Sequence, residues 1–350
     1  MTAKKSYIIA LVTLVPVTAL AAFSFVTGLK LSADGAAAIP EALALTFIAL
    51  LSWYLVHNVL HEAGHAVAAK INGAKILEFS VFFLDFYRVG NKTKFKISVK
   101  SAYAGWVSFV CADPDSSEKT LRSSLIGGLI GTLATFVIIG VTFAIFRTFT
   151  AYYLVVMGAF SVAYMAVINY VCRFYGTDGA LLFDEKGRSA AFKRSARILK
   201  AESAMYLGRR LSEVVGGSVP ETELIYYDLL AALSNGRTAV AEDVANSLEK
   251  MQNMSDNELI AVLFEKFFIA CILNDEEKIA RLKDDFLYAE GSLPAALRAH
   301  AKYRYLTGET EWAKSLEKSY LRSLEDLPLS GYVLTERAVY ERYFDGDARF

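Results

Sequence analysis

The sequence predicts an α-helical membrane domain of four transmembrane helices with a β-hairpin insertion, followed by a soluble α-helical domain of tetratricopeptide-like, solenoid character. Three observations predict it. Four long uncharged apolar runs lie before residue 172, and aromatic and β-branched residues flank a Gly90-Asn91 turn signal between the second run and the third. The third observation is a change of polarity at about residue 183. The formal net charge of zero is the sum of two unlike halves, because residues 1–183 carry 14 Lys+Arg against 9 Asp+Glu, which leaves 23 against 28 in residues 184–350. We therefore divide the chain into a transmembrane domain, 1–183, and a cytoplasmic helical domain, 184–350.

The overall composition, 54% hydrophobic and 21% charged, excludes a disordered chain, and zero net charge argues against a nucleic-acid partner. The cysteines Cys111, Cys172 and Cys271 are odd in number, far apart and set in apolar sequence. They read as small buried hydrophobes in a reducing compartment, not as a disulfide framework or a CxxC metal site.

Residues 6–28 are uncharged and preceded by Lys4 and Lys5. The run is long enough to cross a hydrocarbon layer of about 30 Å and longer than the apolar core of a signal peptide. Residues 42–60 form the second span, opened by Pro40 as a helix-start signal. Its helical pattern runs on through HEAGHAVAAK to a stop at Asn72-Gly73. One helix of about 30 residues is about 45 Å long, so its C-terminal end reaches a membrane surface. In residues 76–110 the segment KFKISVK alternates with period two beyond the Gly90-Asn91 turn, which reads as a β-hairpin. Residues 124–146 and 151–171 are the third and fourth spans.

Orientation follows from the basic residues of the loops. The 70–122 segment carries nine of them, whereas Lys30 and Arg147 stand alone in the other two loops. Both termini are therefore expected in the cytoplasm, in an integral multi-pass protein of the cell membrane. In the second half, turn signals at Ser234-Asn235-Gly236, Asn274-Asp275 and Thr307-Gly308 separate paired amphipathic segments. That spacing suits helix-pair repeats, whose concave surfaces bind partners.

Three of the four histidines fall within nine residues, as His57, His61 and His65. His61-Glu62-Ala63-Gly64-His65 is an HExxH motif in helical sequence. Four residues advance a helix by about 400° and about 6 Å, so His61 and His65 share a face and can reach one tetrahedral Zn²⁺. Glu62 is placed to take a proton from activated water. Ionisable groups at the end of an apolar span are costly, which makes them a functional hypothesis in their own right.

A catalytic zinc site needs a third protein ligand. His57 lies on the same face, but one straight helix cannot wrap positions i, i+4 and i+8 around one ion, since the outer pair is about 12 Å apart along the axis. It reads as a supporting or packing residue. His300, deep in the soluble half, reads as a surface or core residue. Asp178 follows the fourth span, which ends on the same face of the membrane as the HExxH helix, and Gly176 and Gly179 let the backbone turn closely there. The competing reading is an ordinary turn aspartate in Thr-Asp-Gly, and sequence chemistry alone leaves both open.

An HExxH motif ending an early span, a hairpin, a glycine-rich span, then Asn169 and Asp178-Gly179 around a later span resemble the site-2 protease family of intramembrane zinc metalloproteases. The resemblance covers roughly residues 40–183. It implies that His61, His65 and Asp178 are the zinc ligands, that Glu62 is the general base, and that Asn169 helps hold substrate or the reacting carbonyl. It also implies peptide hydrolysis within a membrane-embedded protein substrate near the cytoplasmic leaflet. Two departures stand out. The prolines usual between that Asn and the Asp are replaced by Tyr170 to Thr177, so the ligand loop must be shaped in another way. The third span has Gly127, Gly128 and Gly131 where the family often shows a Gly-Pro pattern; these glycines permit close helix packing.

The hairpin occupies a position similar to one beside the family's active site, where an exposed strand edge can pair with unwound substrate; simple packing at the membrane surface competes with that role. Partners expected from the sequence are the lipid bilayer, a transmembrane protein substrate, and a protein bound by the 184–350 domain. Two rivals remain at this stage. One is another type of membrane HExxH protease with a later Glu as third ligand, for which Glu118 and Glu185 fit poorly. The other is a membrane-anchored helical-repeat scaffold with a silent protease-like domain.

Overall fold

A computed structural model describes residues 39–81, 84–89, 92–97, 105–145, 149–171, 177–183, 190–214, 222–251, 256–289, 293–325 and 327–344. The expected first span at 6–28, the Gly90-Asn91 turn, Cys172, Gly176 and Glu185 lie outside the described residues. The chain falls into two compact units that meet in sequence at Leu199 and Lys200.

The first unit opens with helix α1, Ile39–Ile71, 33 residues long. It stops where the sequence says it should. Gly73 takes a left-handed φ of 80°, which lets Gly73 N–H bond to Lys70 O at 3.0 Å and Ala74 N–H to Ala69 O at 3.1 Å. This pair satisfies carbonyls that the helix end would otherwise leave open.

Strands β1 (Lys75–Val81), β2 (Leu84–Val89), β3 (Lys92–Ile97) and β4 (Gly105–Val110) follow. They form one four-stranded sheet in the order β3-β2-β1-β4, where a single hairpin was expected. The Gly90-Asn91 signal does separate two strands, β2 and β3. What the sequence hid is a second reversal after Val81, whose partner across the turn is Leu84. It falls inside an apolar run with no Gly, Pro or Asn to mark it. The antiparallel return of β4 to β1, with Phe79 opposite Val107, is a non-local pairing that no local pattern announces.

After a 3₁₀ turn at Pro114–Ser116, capped by Asp113, helix α2 runs from Ser117 to Ile145. It begins seven residues before the predicted span, because the polar stretch SEKTLRS continues the same helix. Among the described residues, Pro114–Ile145 is the one helix long and apolar enough to cross a membrane; Val155–Val171 is a shorter apolar helix. Helix α3 (Phe149–Ala166) passes into a π-helical turn at Val167–Val171, and a short helix α4, Asp178–Phe183, follows.

Helices α1 and α2 pack backbone to backbone. A Cβ on Gly64 would stand 2.1 Å from Gly127 O, and one on Gly131 would stand 2.2 Å from Leu60 O. The glycines of the third run therefore serve close helix packing, as their type suggests.

Helix α5, Ala190–Tyr206, carries the chain into the second unit. There α6 (Leu211–Val214), α7 (Thr222–Ser234), α8 (Thr238–Glu249), α9 (Asp256–Leu273), α10 (Glu276–Tyr288), α11 (Pro294–Leu306), α12 (Thr310–Glu325) and α13 (Ser330–Tyr343) follow. Each predicted turn falls at a helix break, with Gly236, Asn274 and Gly308 at φ 73°, 53° and 79°. Side chains of α13 return to the end of α7: Tyr343 Oη donates to Leu233 O at 3.3 Å and Arg342 Nε to Ser234 O at 3.2 Å. One core, with Phe264, Phe267, Phe268 and Phe286 at its centre, runs from α7 to α13. Helix α13 thus closes on α7, which departs from the neighbour-only stacking of an open solenoid. His300 packs here, its ring 4.1 Å from that of Phe286. Cys111 and Cys271 are buried free thiols, and burial pushes the Cys271 thiol up to about 12.

The second unit also buries an ionic cluster. Arg298, Glu265 and Glu336 are each fully buried. The guanidinium binds both Glu336 oxygens at 2.8 Å and also Glu265. Tyr226 donates to Glu265 at 2.7 Å, and Tyr320 to Glu336 at 2.7 Å. Such charges are tolerated inside a core only when paired and hydrogen-bonded throughout.

Candidate metal centre

His61 and His65 leave the same face of α1, and Asp178 meets them from the first residue of α4. Three atoms form the centre: the Nε2 atoms of the two histidines are 3.1 Å apart, and each is 3.1 Å from Asp178 Oδ2. Both histidines are buried. A tetrahedral ion bonded at about 2.0–2.1 Å would place its ligand atoms about 3.3 Å apart. The donor set of two imidazoles and one carboxylate therefore has the spacing that one small divalent ion requires.

Hydrogen bonds behind the rings point to the same conclusion. His65 Nδ1 lies 2.9 Å from Ser124 O, and His61 Nδ1 lies 3.0 Å from Gly128 O. A carbonyl can only accept, so each Nδ1 carries a proton and each ring turns its Nε2 inward as the atom open to a metal ion. Two Nε2 atoms and a carboxylate oxygen then face one another, a donor set that a cation would bridge. Backbone carbonyls behind ligating histidines are the usual way such rings are oriented.

Ser124, Gly128 and Thr132 are spaced by four along α2 and so share the face toward α1. Gly128 has no room for more: a Cβ there would lie 2.4 Å from the His65 ring. Thr132 Oγ1 is 3.1 Å from His61 Nδ1. The sequence reading missed the roles of Ser124 and Thr132. The small-residue spacing was visible, but it carries the same signal as ordinary helix packing.

Glu62 is buried, and its Cγ and Oε1 would lie 2.7 and 3.0 Å from a Cβ on Gly105. It thus sits between the HExxH helix and the first residue of β4. Glu62, His57, Trp106, Val107, Asn169 and Asp178 are among the walls of a cavity of about 530 Å³.

Asn169 does not stand free in that cavity. Its Oδ1 accepts from the Asp178 backbone N–H at 3.1 Å, and its Nδ2 donates to Asp178 Oδ2 and lies near His61 Nε2, both at 3.2 Å. Tyr170 Oη also reaches Asp178 Oδ2, at 3.4 Å. Neighbours in a regular helix diverge by about 100°; here both lie in the π-helical turn Val167–Val171, a distortion that recurs at functional sites.

His57 is 97% buried, with its ring 5.7 Å from that of His61. It is not among the three converging residues, and its Nδ1 has no hydrogen-bond partner. Glu118, a poor fit as the Glu ligand of the rival protease type, lies in the first turn of α2 and is likewise not one of the three. His300 belongs to the second unit.

Nothing among curated proteins or solved structures matches the chain. Residues 46–278, by contrast, match the model of peptidase family M50. That stretch covers two thirds of the sequence and contains the HExxH helix, the sheet, Asn169 and Asp178, so the chain belongs to peptidase family M50, the site-2 protease family of metallopeptidases.

Proposed function

We propose that residues 1–183 form an intramembrane zinc metalloprotease that hydrolyses a peptide bond of a membrane-embedded protein near the cytoplasmic leaflet. The observation that carries this reading is the mutual 3.1 Å approach of His61, His65 and Asp178 beside a buried Glu62, in a chain of this family. In this reading the spans are 6–28, 42–60, 124–146 and 151–171, both termini are cytoplasmic, and the protein resides in the cell membrane.

His61, His65 and Asp178 would hold the zinc ion. Zinc bound there supplies Lewis acidity toward a carbonyl oxygen and lowers the pKa of water to about 7. Glu62 takes the proton of the attacking water and delivers it to the leaving amine. Its burial keeps that proton transfer away from bulk solvent. Asn169 keeps Asp178 in place while its amide faces the cavity.

A membrane helix hides its amides in internal hydrogen bonds, so the substrate must be unwound before attack. Strand β4 ends the sheet, and Gly105, Trp106, Val107 and Phe109 line the cavity. An extended substrate segment that hydrogen-bonds along β4 would lie beside Glu62. The 184–350 helices would serve regulation or substrate selection through a bound protein.

The test is direct. Purified full-length protein should contain about one zinc per chain, and Asp178→Ala should lose it. Glu62→Gln should keep the metal and abolish cleavage of a single-span membrane substrate. Zinc retained in Asp178→Ala, or cleavage surviving in Glu62→Gln, would overturn these assignments.

A further inference from the structure

We infer that His57 is a substrate-binding residue whose imidazole takes the main chain of the unwound substrate two residues from the scissile bond. The inference rests on the proposed protease reading and gives the site a second anchor beside the metal. His57 is only 3% exposed and its ring lies 5.7 Å from that of His61, yet its Nδ1 has no hydrogen-bond partner in the protein. An unsatisfied ring nitrogen is costly in any interior, and more so within the uncharged run 42–60. The neighbouring Asn58 shows the usual solution, since its amide donates back to Tyr54 O at 2.8 Å. His57 makes no such bond at Nδ1, although it lines the same cavity as His61, Glu62 and Asp178.

Spacing identifies what the ring would take. Strand β4 and helix α1 both contribute walls to this cavity. An extended segment paired along β4 spends one backbone edge on the strand and turns the other away from it. The scissile carbonyl, which must reach the metal, belongs to that second edge. Backbone groups on one edge recur every second residue, about 6.6 Å apart. His57 precedes His61 by one turn of α1, about 6 Å along the axis. The peptide groups of the residue two places from the scissile bond therefore come level with His57. A neutral imidazole has one donor and one acceptor, so it serves either the N–H or the C=O found there. Main-chain recognition also suits a membrane substrate, because each amide released from its helix in an apolar medium needs a new partner.

Full-length protein in detergent is assayed for zinc content, thermal unfolding and cleavage of a synthetic single-span substrate. His57→Phe, which keeps an aromatic ring and removes both nitrogens, should lower kcat/KM by about 10–100-fold, the cost of a buried hydrogen bond left unmet, at unchanged zinc content. His57→Asn, whose amide stands near the position of Nδ1, should recover most of that loss. Replacing substrate amides by esters one at a time reads the contact itself, because an ester lacks the N–H and its carbonyl accepts more weakly. With the wild type, an ester flanking the residue two places from the scissile bond should cost about 10-fold in kcat/KM. The same ester should cost His57→Phe almost nothing further, since the contact is already gone. Wild-type kinetics in His57→Phe, no ester penalty at that residue in the wild type, or equal penalties in the two enzymes would overturn the assignment and leave the zinc site standing. Zinc lost from His57→Phe would overturn it too, by making the ring a support of the metal centre. A wild-type chain that neither takes up zinc nor cleaves the substrate would overturn the protease reading itself.

Discussion

Asn169 holds Asp178 at two points, accepting from its backbone N–H at 3.1 Å and donating to its Oδ2 at 3.2 Å. One amide side chain therefore fixes both the start of α4 and the direction of the carboxylate. Family resemblance points to Asn169 as a substrate holder, but its geometry assigns a task to it before any substrate arrives. Asn169→Ala should weaken zinc binding by about 10–100-fold, measured by chelator competition on the full chain. A variant with intact zinc affinity and a raised KM would return Asn169 to substrate holding alone.

Gly128 lies where α2 meets the His65 ring. A methyl group there would stand 2.4 Å from two ring atoms, whereas nothing lies within 4 Å of a Cβ on Gly140, on the same helix. Gly128→Ala should cost about 1–3 kcal/mol, as overpacking does, and should lower zinc content by turning His65 out of line. Gly140→Ala should keep zinc and gain up to about 1 kcal/mol through helix propensity. Equal behaviour of the two alanines in thermal unfolding and metal analysis would refute the close-contact account.

The parts of the site legible in the sequence are the local ones. His61, Glu62 and His65 could be read because the helical period alone puts both imidazoles on one face. Asp178 could be approached because the predicted spans bring the end of the fourth to the depth of the second. Ser124, Thr132 and Tyr170 act through hydrogen bonds to a ring nitrogen or a carboxylate on another element, and a small residue or a tyrosine in an apolar helix looks the same whether or not it makes one. The sheet divides likewise: Gly90-Asn91 advertised its turn, while the reversal between Val81 and Leu84 is buried in an aromatic run. In the second unit Arg298 lies 33 residues from Glu265 and 38 from Glu336, so no local sequence pattern joins the ionic cluster.

His57 tests the limit of the three-ligand assignment. It is buried one helical turn before His61, with its ring 5.7 Å away, yet it stands outside the converging triad. His57→Gln should keep about one zinc per chain at wild-type affinity. If that variant loses the metal while His65→Gln keeps it, the ligand set must be redrawn around His57.

Arg298 carries the sharpest stability prediction of the second unit. Its guanidinium neutralises two carboxylates, Glu265 and Glu336, and all three side chains are fully buried. Removing the cation leaves two like charges facing each other without solvent, so Arg298→Met should destabilise the unit by about 3–5 kcal/mol. Replacing all three, as Arg298→Met/Glu265→Gln/Glu336→Gln, should recover part of that loss, because no uncompensated charge remains and the amides can still accept from Tyr226 and Tyr320. Denaturant unfolding of the full-length protein, followed through the helical signal, checks the order. A single variant as stable as wild type, or a triple variant worse than the single, would mean that the cluster does not hold the core as its geometry implies.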